Sequence, residues 1–291
     1  MLTSNFPNWQ GFRRDLEEYF SEVVSRVVCV DNNTDLKVEI SRQTYDWLFV
    51  ECDRAESYRF YAPHKRTGLL VFEEGLGTYN GRPLPPHRRL RWLKWRLMKA
   101  RYGSGMFFGD GRSTDLIAVN FKELYLSMNK VCPARVVENR VFYKEIVRCE
   151  RLVHYKPPEL FRGQDLLLVL VARRSDTSRW SGYAKNFQYD NLLVKGHPHD
   201  EESKFDRRSV SRYFPRWAPA ELVIKSLSDV AAKLTVIHGG SSASLYCRHL
   251  ENVEFVGFEL SPHYIEVMKK AKFSEAIFEK YVEDEVRSSS R

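Results

Sequence analysis

Short apolar runs alternate along the chain with segments in which apolar side chains recur every three or four positions. The short runs are typical of buried β-strands, and the longer spacing is typical of helices that bury one face. The predicted strands are Val24–Val30, Asp46–Glu51, Tyr58–Tyr61, Leu69–Phe72, Leu116–Val119, Leu166–Ala172, Asn191–Val194, Leu234–Ile237 and Val253–Val256. The predicted helices are Trp9–Ser25, Arg88–Tyr102, Asn120–Asn129, Lys204–Phe214, Ala218–Ala232, Ser242–His249 and Pro262–Lys272. This alternation predicts a layered α/β protein.

The segment VHYKPPELFRGQ separates two halves with the same alternation of strands and helices. Pro157, Pro158 and Gly163 make a helix unfavourable there, so we place a domain boundary at 157. The first domain is then 1–156, the second 157–273, and 274–291 is a C-terminal helix and tail. Both domains are predicted to be Rossmann-like. Because the chain opens with a helix-like segment and no apolar strand, we expect a trimmed N-terminal domain.

Composition excludes several classes of protein. With 43% hydrophobic residues in 291, the chain is too apolar to be disordered. Its longest apolar run, Leu166–Ala172, is far shorter than the roughly 20 residues that span a bilayer, and no apolar signal segment opens the chain. The five cysteines are scattered without a CxxC spacing, which predicts free thiols in a reducing cytoplasm and no metal site.

The net charge of +8 is concentrated in Arg82–Arg101, which holds eight Lys and Arg and no acidic residue. Apolar positions at helical spacing predict a face that packs on the domain: Leu90, Leu93, Leu97 and Ala100. The basic and aromatic remainder is a solvated surface, a contact with an anionic membrane, or a site for an anionic acceptor glycan. Nucleic acid is not expected, because the charge is confined to one helix. The candidate contacts are Arg88, Arg89, Arg91, Trp92, Lys94 and Trp95.

The first of three short motifs is VFEEGLGTYNG, in which the strand Leu69–Phe72 ends in Glu73, Glu74 and Gly75. Ligands of α/β sheets lie beyond the carboxyl ends of the strands, so an acidic residue at this point faces a cleft. A carboxylate there is able to take a proton from an attacking hydroxyl group. An ordinary acidic turn is the alternative interpretation.

The second motif is LLVKGHPHD, in which the strand Asn191–Val194 is followed by Lys195, Gly196 and His197. Pro198 restrains the backbone of the histidine to an extended conformation, which holds the imidazole at the end of the strand. Near neutral pH an imidazole can donate a proton to a leaving group. A His-Pro pair also occurs by chance in proteins of this size.

The third motif is LTVIHGGSSASLYC, in which the strand Leu234–Ile237 is followed by Gly239, Gly240, Ser241 and Ser242. A helix start with free N–H groups and serine hydroxyls suits a phosphate group, and the serines can equally serve as a plain helix cap. Arg173 follows Leu166–Ala172 at another strand end. It is a candidate partner for a phosphate or carboxylate, or a surface arginine.

The order acidic-acidic-Gly, His-Pro, Ser-Ser, each after a predicted strand, resembles the bacterial sialyltransferases of the GT-B fold. That superfamily includes lipooligosaccharide sialyltransferases and capsule polysialyltransferases, with motifs written D/E-D/E-G, HP and S-S/T. The match runs from Glu73 to Ser242, and Pro219–Asp229 looks like the helix that lines the nucleotide. The resemblance implies two Rossmann-like domains that face a central cleft.

The resemblance also implies an activity, which is inverting, metal-independent transfer of sialic acid from CMP-sialic acid to a hydroxyl of a bacterial surface glycan. The acceptor would be lipooligosaccharide, O-antigen or capsule. Glu73 would be the general base, with Glu74 as an alternative, and His197 the general acid. Ser241 and Ser242 would hold the phosphate of the nucleotide. Further candidate contacts of the nucleotide or its phosphate are Gly240, Lys195 and Arg173. The CMP-sugar is a substrate, and no cofactor is expected.

Two alternatives stay open at the level of the sequence. The donor could be another CMP-linked keto-sugar, such as Kdo, legionaminic acid or pseudaminic acid, since these share the nucleotide and the carboxylate. Alternatively, the chain is a non-catalytic glycan- or membrane-binding protein on the same scaffold. We expect a cytoplasmic protein, associated peripherally with the cytoplasmic face of the inner membrane, that acts on a lipid-linked glycan.

Overall fold

The computed structural model describes residues 2–4, 14, 17–18, 28–30, 33–50, 61–73, 75–79, 93, 96–97, 99–101, 103, 108–129, 131–139, 159–171, 177–197, 210–215, 218–260 and 262–272. These residues form a mixed α/β protein in which every strand pairing is parallel. The chain divides into two compact units, built mainly of Glu22–Phe142 and Tyr143–Met268. The predicted boundary at 157 and the predicted tail, 274–291, lie outside the described residues.

The elements of the described chain are as follows. The strands are β1 Leu2–Ser4, β2 Val28–Val30, β3 Tyr45–Val50, β4 Lys65–Phe72, β5 Leu116–Val119, β6 Val136–Glu138, β7 Asp165–Leu170, β8 Asn191–Lys195, β9 Arg212–Phe214, β10 Lys233–His238 and β11 Val253–Gly257. The α-helices are α1 Asn33–Ser41, α2 Lys122–Met128, α3 Thr177–Ala184, α4 Ala220–Ser228, α5 Ala243–Tyr246 and α6 Pro262–Lys272. None of the helices in this part of the chain is long and apolar enough to cross a membrane.

The first unit contains a four-stranded sheet with the strands in chain order, β3-β4-β5-β6. Right-handed crossovers between strands that follow one another in this way place all their connections on one face of the sheet. That face is the core of the unit, formed by Val50, Leu69, Val71, Ile117, Val119 and Val136. The side chains between these residues along each strand point to the opposite face of the sheet, and four of them are exposed: Trp47, Phe49, Phe72 and Val137.

The second unit contains a five-stranded sheet of order β11-β10-β7-β8-β9. The chain therefore builds outward from β7 in two directions, first through β8 and β9 and then through β10 and β11. The strand order reverses between β7 and β10, which is the place where ligands of doubly wound sheets bind. The central strand β7 is buried from Leu166 to Leu170, as expected for a strand that is covered on both faces.

Two expectations about secondary structure are wrong: the absence of an opening strand, and the helical conformation of the end of Lys204–Phe214. The chain opens with the strand β1, which pairs in parallel with β2, so the expectation of a trimmed N-terminal domain loses the observation on which it rested. Three residues carry too little pattern to predict a strand, and β1 depends on its partner 26 positions away. The C-terminal part of the predicted helix Lys204–Phe214 is the strand β9, because it pairs with the buried strand β8. Residues 204–209 of that predicted helix lie outside the described part of the chain.

The basic segment is helical at the positions that the structure describes, namely 93, 96–97 and 99–101. Its apolar face does not pack as predicted, since the side chains of Leu93 and Leu97 are 50% and 61% exposed. A periodic apolar pattern predicts a helix but does not identify the surface that covers it. The predicted strand Tyr58–Tyr61 lies outside the described residues except Tyr61, which has helical backbone angles.

Candidate functional site

The second and third motifs lie at the same edge of the five-stranded sheet. Leu170 at the end of β7 pairs with Lys195 at the end of β8 on one side and with His238 at the end of β10 on the other. His197 and the turn Gly239–Ser242 therefore both follow strands that end level with one another. This edge includes the point where the strand order reverses, and it brings the two sequence motifs together within one unit.

The Gly239–Ser242 turn depends on a glycine at its second position. Gly240 has φ 97°, a backbone conformation that side chains rarely adopt, and a Cβ atom there would lie 3.3 Å from the Tyr264 ring. Ser241 Oγ accepts a hydrogen bond from the Ala243 N–H at 3.3 Å, whereas Ser242, the N-cap residue of α5, makes no capping bond with its side chain. The helix that follows, α5, has only four residues and not the eight predicted, so its dipole is smaller than the sequence implied.

The two serines of this turn differ in what their hydroxyl groups contact. Ser242 donates its hydroxyl hydrogen to the carboxylate of Glu221, which lies in the first turn of α4. The Ser241 hydroxyl hydrogen has no acceptor among the described residues. Ser241 is therefore the serine whose hydroxyl can donate to a phosphate without breaking a bond, whereas Ser242 has to exchange its bond to Glu221.

A buried lysine and a partly buried glutamate lie next to the turn. Lys195 is only 4% exposed, and its Nζ donates to the Gly196 carbonyl at 3.2 Å. Burial lowers the pKa of Lys195 to about 8, against the attraction of Glu221. Burial raises the pKa of Glu221, opposed by a hydrogen bond from its own backbone, by the Lys195 charge and by the Ser242 hydroxyl. Lys195 thus supplies positive charge at this sheet edge at neutral pH.

His197 follows this lysine by two residues and is partly exposed to solvent. An imidazole in that position can exchange protons with water and with a ligand at the sheet edge. Its neighbour Pro198, on which the predicted extended conformation depends, lies outside the described residues.

Glu73 lies at the carboxyl end of β4 in the first unit. Its Oε2 accepts hydrogen bonds from the Tyr79 hydroxyl at 2.7 Å and from the Asn120 N–H at 2.6 Å. Its backbone N–H donates to the Ala118 carbonyl at 3.0 Å, which ties it to β5. These contacts hold the carboxylate in one orientation at the sheet edge. Glu74 lies outside the described residues.

Sequence reasoning did not identify Glu221 or Asn120. The backbone N–H of Asn120 donates to the carboxylate of Glu73, and its side-chain oxygen is buried without a hydrogen-bond partner among the described residues. The sequence could have indicated Asn120, because it directly follows the predicted strand Leu116–Val119, just as Glu73 directly follows the predicted strand Leu69–Phe72. Glu221 had no comparable signal, because its partner Lys195 is 26 positions away in the sequence.

Several residues predicted to contact the nucleotide, the acceptor or the membrane lie outside the described residues: Arg173, Arg88, Arg89, Arg91, Trp92, Lys94 and Trp95. In the part of the chain that the structure describes, no three His, Cys, Asp or Glu side chains are grouped so as to hold a metal ion.

No protein-family model matches the chain, and a search among curated proteins finds no match either.

Proposed function

We propose that the protein is an inverting, metal-independent glycosyltransferase that moves sialic acid from CMP-sialic acid to a hydroxyl of a bacterial surface glycan. The observation that carries the proposal is the position of His197 and the Gly239–Ser242 turn, level with each other at the sheet edge where the strand order reverses. The motif order, which resembles that of the bacterial sialyltransferases, supplies the reaction.

The second unit would bind the leaving nucleotide. Negative charge grows on the CMP phosphate as the bond from the anomeric carbon to the phosphate oxygen breaks, so donors and positive charge belong beside that oxygen. Ser241 supplies a hydroxyl donor, Lys195 supplies a nearby buried positive charge, and His197 would give its proton to the phosphate. Arg173 is a further candidate for the phosphate or the sugar carboxylate.

The first unit would bind the acceptor. Glu73 would take the proton of the acceptor hydroxyl while the acceptor oxygen attacks the anomeric carbon from the face opposite the phosphate, which inverts that centre. Glu74 remains the alternative base. This proposal requires a GT-B arrangement, in which the Glu73 edge of one sheet and the His197 edge of the other border a common cleft.

Peripheral attachment to the inner membrane is part of the proposal. Leu93 and Leu97, one helical turn apart, are exposed in a segment that also exposes Arg96 and Lys99. Exposed leucines among basic residues are typical of helices that lie on an anionic bilayer. A lipid-linked glycan acceptor would be presented at that surface.

The test is the release of CMP from purified protein with CMP-sialic acid, CMP-Kdo, CMP-legionaminic acid and CMP-pseudaminic acid, each with and without EDTA. Slow release of CMP from CMP-sialic acid without an acceptor, undiminished by EDTA, is the expected result. Release from another donor alone would replace sialic acid by that sugar. Binding of CMP without release from any donor would favour the non-catalytic alternative, and absence of CMP binding would overturn the proposal.

A further inference from the structure

The Gly239–Ser242 turn is held from below by a buried chain of hydrogen bonds that no sequence motif indicates. The Gly240 N–H donates to His238 Nδ1 at 3.2 Å. Tyr264 Oη lies 3.5 Å from His238 Nε2 and 2.6 Å from Ser244 Oγ. Ser244 Oγ in turn donates to the Ser241 carbonyl at 2.7 Å. The chain therefore begins and ends on the backbone of the turn.

The direction of every bond in this chain follows from the number of hydrogens available. His238 is 2% exposed, and burial lowers its pKa to about 4, so the imidazole is neutral at neutral pH. Because Nδ1 accepts from Gly240, its single hydrogen is on Nε2 and points to Tyr264. Ser244 uses its hydrogen on Ser241, so Tyr264 must donate to Ser244. Each donor is thus assigned to one acceptor.

The two ends of the chain restrain the two peptide groups that flank the Gly240–Ser241 peptide. One end holds the N–H of Gly240, and the other holds the carbonyl of Ser241. The peptide group between these two residues carries the Ser241 N–H, and its orientation is set by the groups on either side. The Tyr264 ring also packs against Gly240, so the same side chain supports the turn by contact and by hydrogen bonding.

We propose that His238, Tyr264 and Ser244 are positioning residues that hold the Gly239–Ser242 turn in the conformation that receives the phosphate of the nucleotide. This inference rests on the proposed function, since it takes the ligand of the turn to be CMP. None of the three side chains needs to touch the ligand. They act through the orientation of Ser241, which presents its N–H and hydroxyl at the sheet edge.

The test compares the binding of CMP with that of cytidine, which lacks the phosphate, by isothermal titration calorimetry. Tyr264→Phe removes one link of the chain and keeps the ring that packs against Gly240. We expect its Kd for CMP to rise about tenfold, as for a lost phosphate contact. Its Kd for cytidine should change by less than about twofold. Tyr183→Phe is the matched control, because Tyr183 packs on Phe258 within the same unit, and it should leave both values unchanged.

Two further variants separate positioning from general support of the fold. His238→Asn retains an acceptor close to the place of Nδ1 and should keep CMP affinity within about threefold, whereas His238→Leu should lose about tenfold. Ser244→Ala removes the same chain with a smaller change, and serves if Tyr264→Phe fails to fold. Equal losses for CMP and cytidine, or no loss for either, would overturn the inference alone. Absence of CMP binding by the unmodified protein would overturn the proposed function together with it.

Discussion

Tyr79 donates its phenolic hydrogen to Glu73 Oε2 at 2.7 Å from a fully buried ring. The same hydroxyl accepts the Phe121 N–H at 3.2 Å, so the tyrosine links the end of β4 to the segment that follows β5. The carboxylate is thereby anchored to two neighbouring strands. A side chain held in this way is suited to take a proton along a defined direction, and it is also part of the local fold.

Glu73→Gln should reduce the rate of sialic acid transfer by about a hundredfold or more, because an amide cannot take the acceptor proton. The amide oxygen can still accept the bonds from Tyr79 and Asn120, so the midpoint of thermal unfolding should change little. Tyr79→Phe is the control and should reduce the rate by less than about tenfold. If Glu73→Gln keeps a near-normal initial rate of CMP release with acceptor, Glu74 becomes the candidate base.

His197→Ala should reduce transfer by a similar factor, about a hundredfold, while the Kd for CMP stays within a few-fold of the unmodified value. The reason is that a general acid acts on the bond being broken and contributes less to binding of the product. His64→Ala, at a partly buried histidine of the first unit, is the control and should leave transfer unchanged. Equal rates for both variants would remove His197 from the catalytic role.

Ser241→Ala should weaken CMP binding about tenfold, since the lost bond would be one from a hydroxyl to a charged phosphate. Ser242→Ala should weaken it by no more than about threefold, because that hydroxyl already donates to Glu221. Calorimetric titration of both variants measures the difference. A larger loss for Ser242→Ala than for Ser241→Ala would show that the bond to Glu221 is exchanged on binding.

The Lys195 charge attracts the partly buried Glu221 carboxylate, so Lys195→Met and Glu221→Gln should be coupled by about 1 kcal/mol in the free energy of unfolding. The double variant Lys195→Met, Glu221→Gln should be less destabilised than the sum of the two single variants. Urea denaturation of the four proteins gives this coupling. Strict additivity would show that the two side chains do not interact.

His238 should make the fold sensitive to acid. Its pKa falls from 6.5 to about 4 on folding, so between these pH values the unfolded chain binds more protons than the native protein. Stability is therefore lost as the pH falls from 6.5 to 4, by on the order of 3 kcal/mol in total. His238→Asn should show a smaller loss over this window in the midpoint of thermal unfolding. Parallel curves for the two proteins would contradict the assignment.

Much of the local structure could be predicted from the sequence. Leu116–Val119 and Pro262–Lys272 have the predicted bounds, because a continuous apolar run and a three-to-four spacing are properties of neighbouring residues. The strand β9 could not be predicted in this way. Its three residues fit either period, and only the pairing with β8 makes them a strand. The exposure of the Leu97 side chain could not be predicted either, since it depends on whether another element of the fold packs against that helix face.

For the candidate site, the sequence alone indicated which residues come soon after buried strands. These include Glu73, His197 and Ser241, which lie one, two and three residues after β4, β8 and β10. That rule needs only the end of an apolar run and the chemistry of the next few residues. The tertiary structure decided the strand order, and with it the contacts of Lys195 with Glu221 and of His238 with Tyr264. These partners are about 26 positions apart and lie on different elements, so the packing of the sheet brings them together and no local pattern records it.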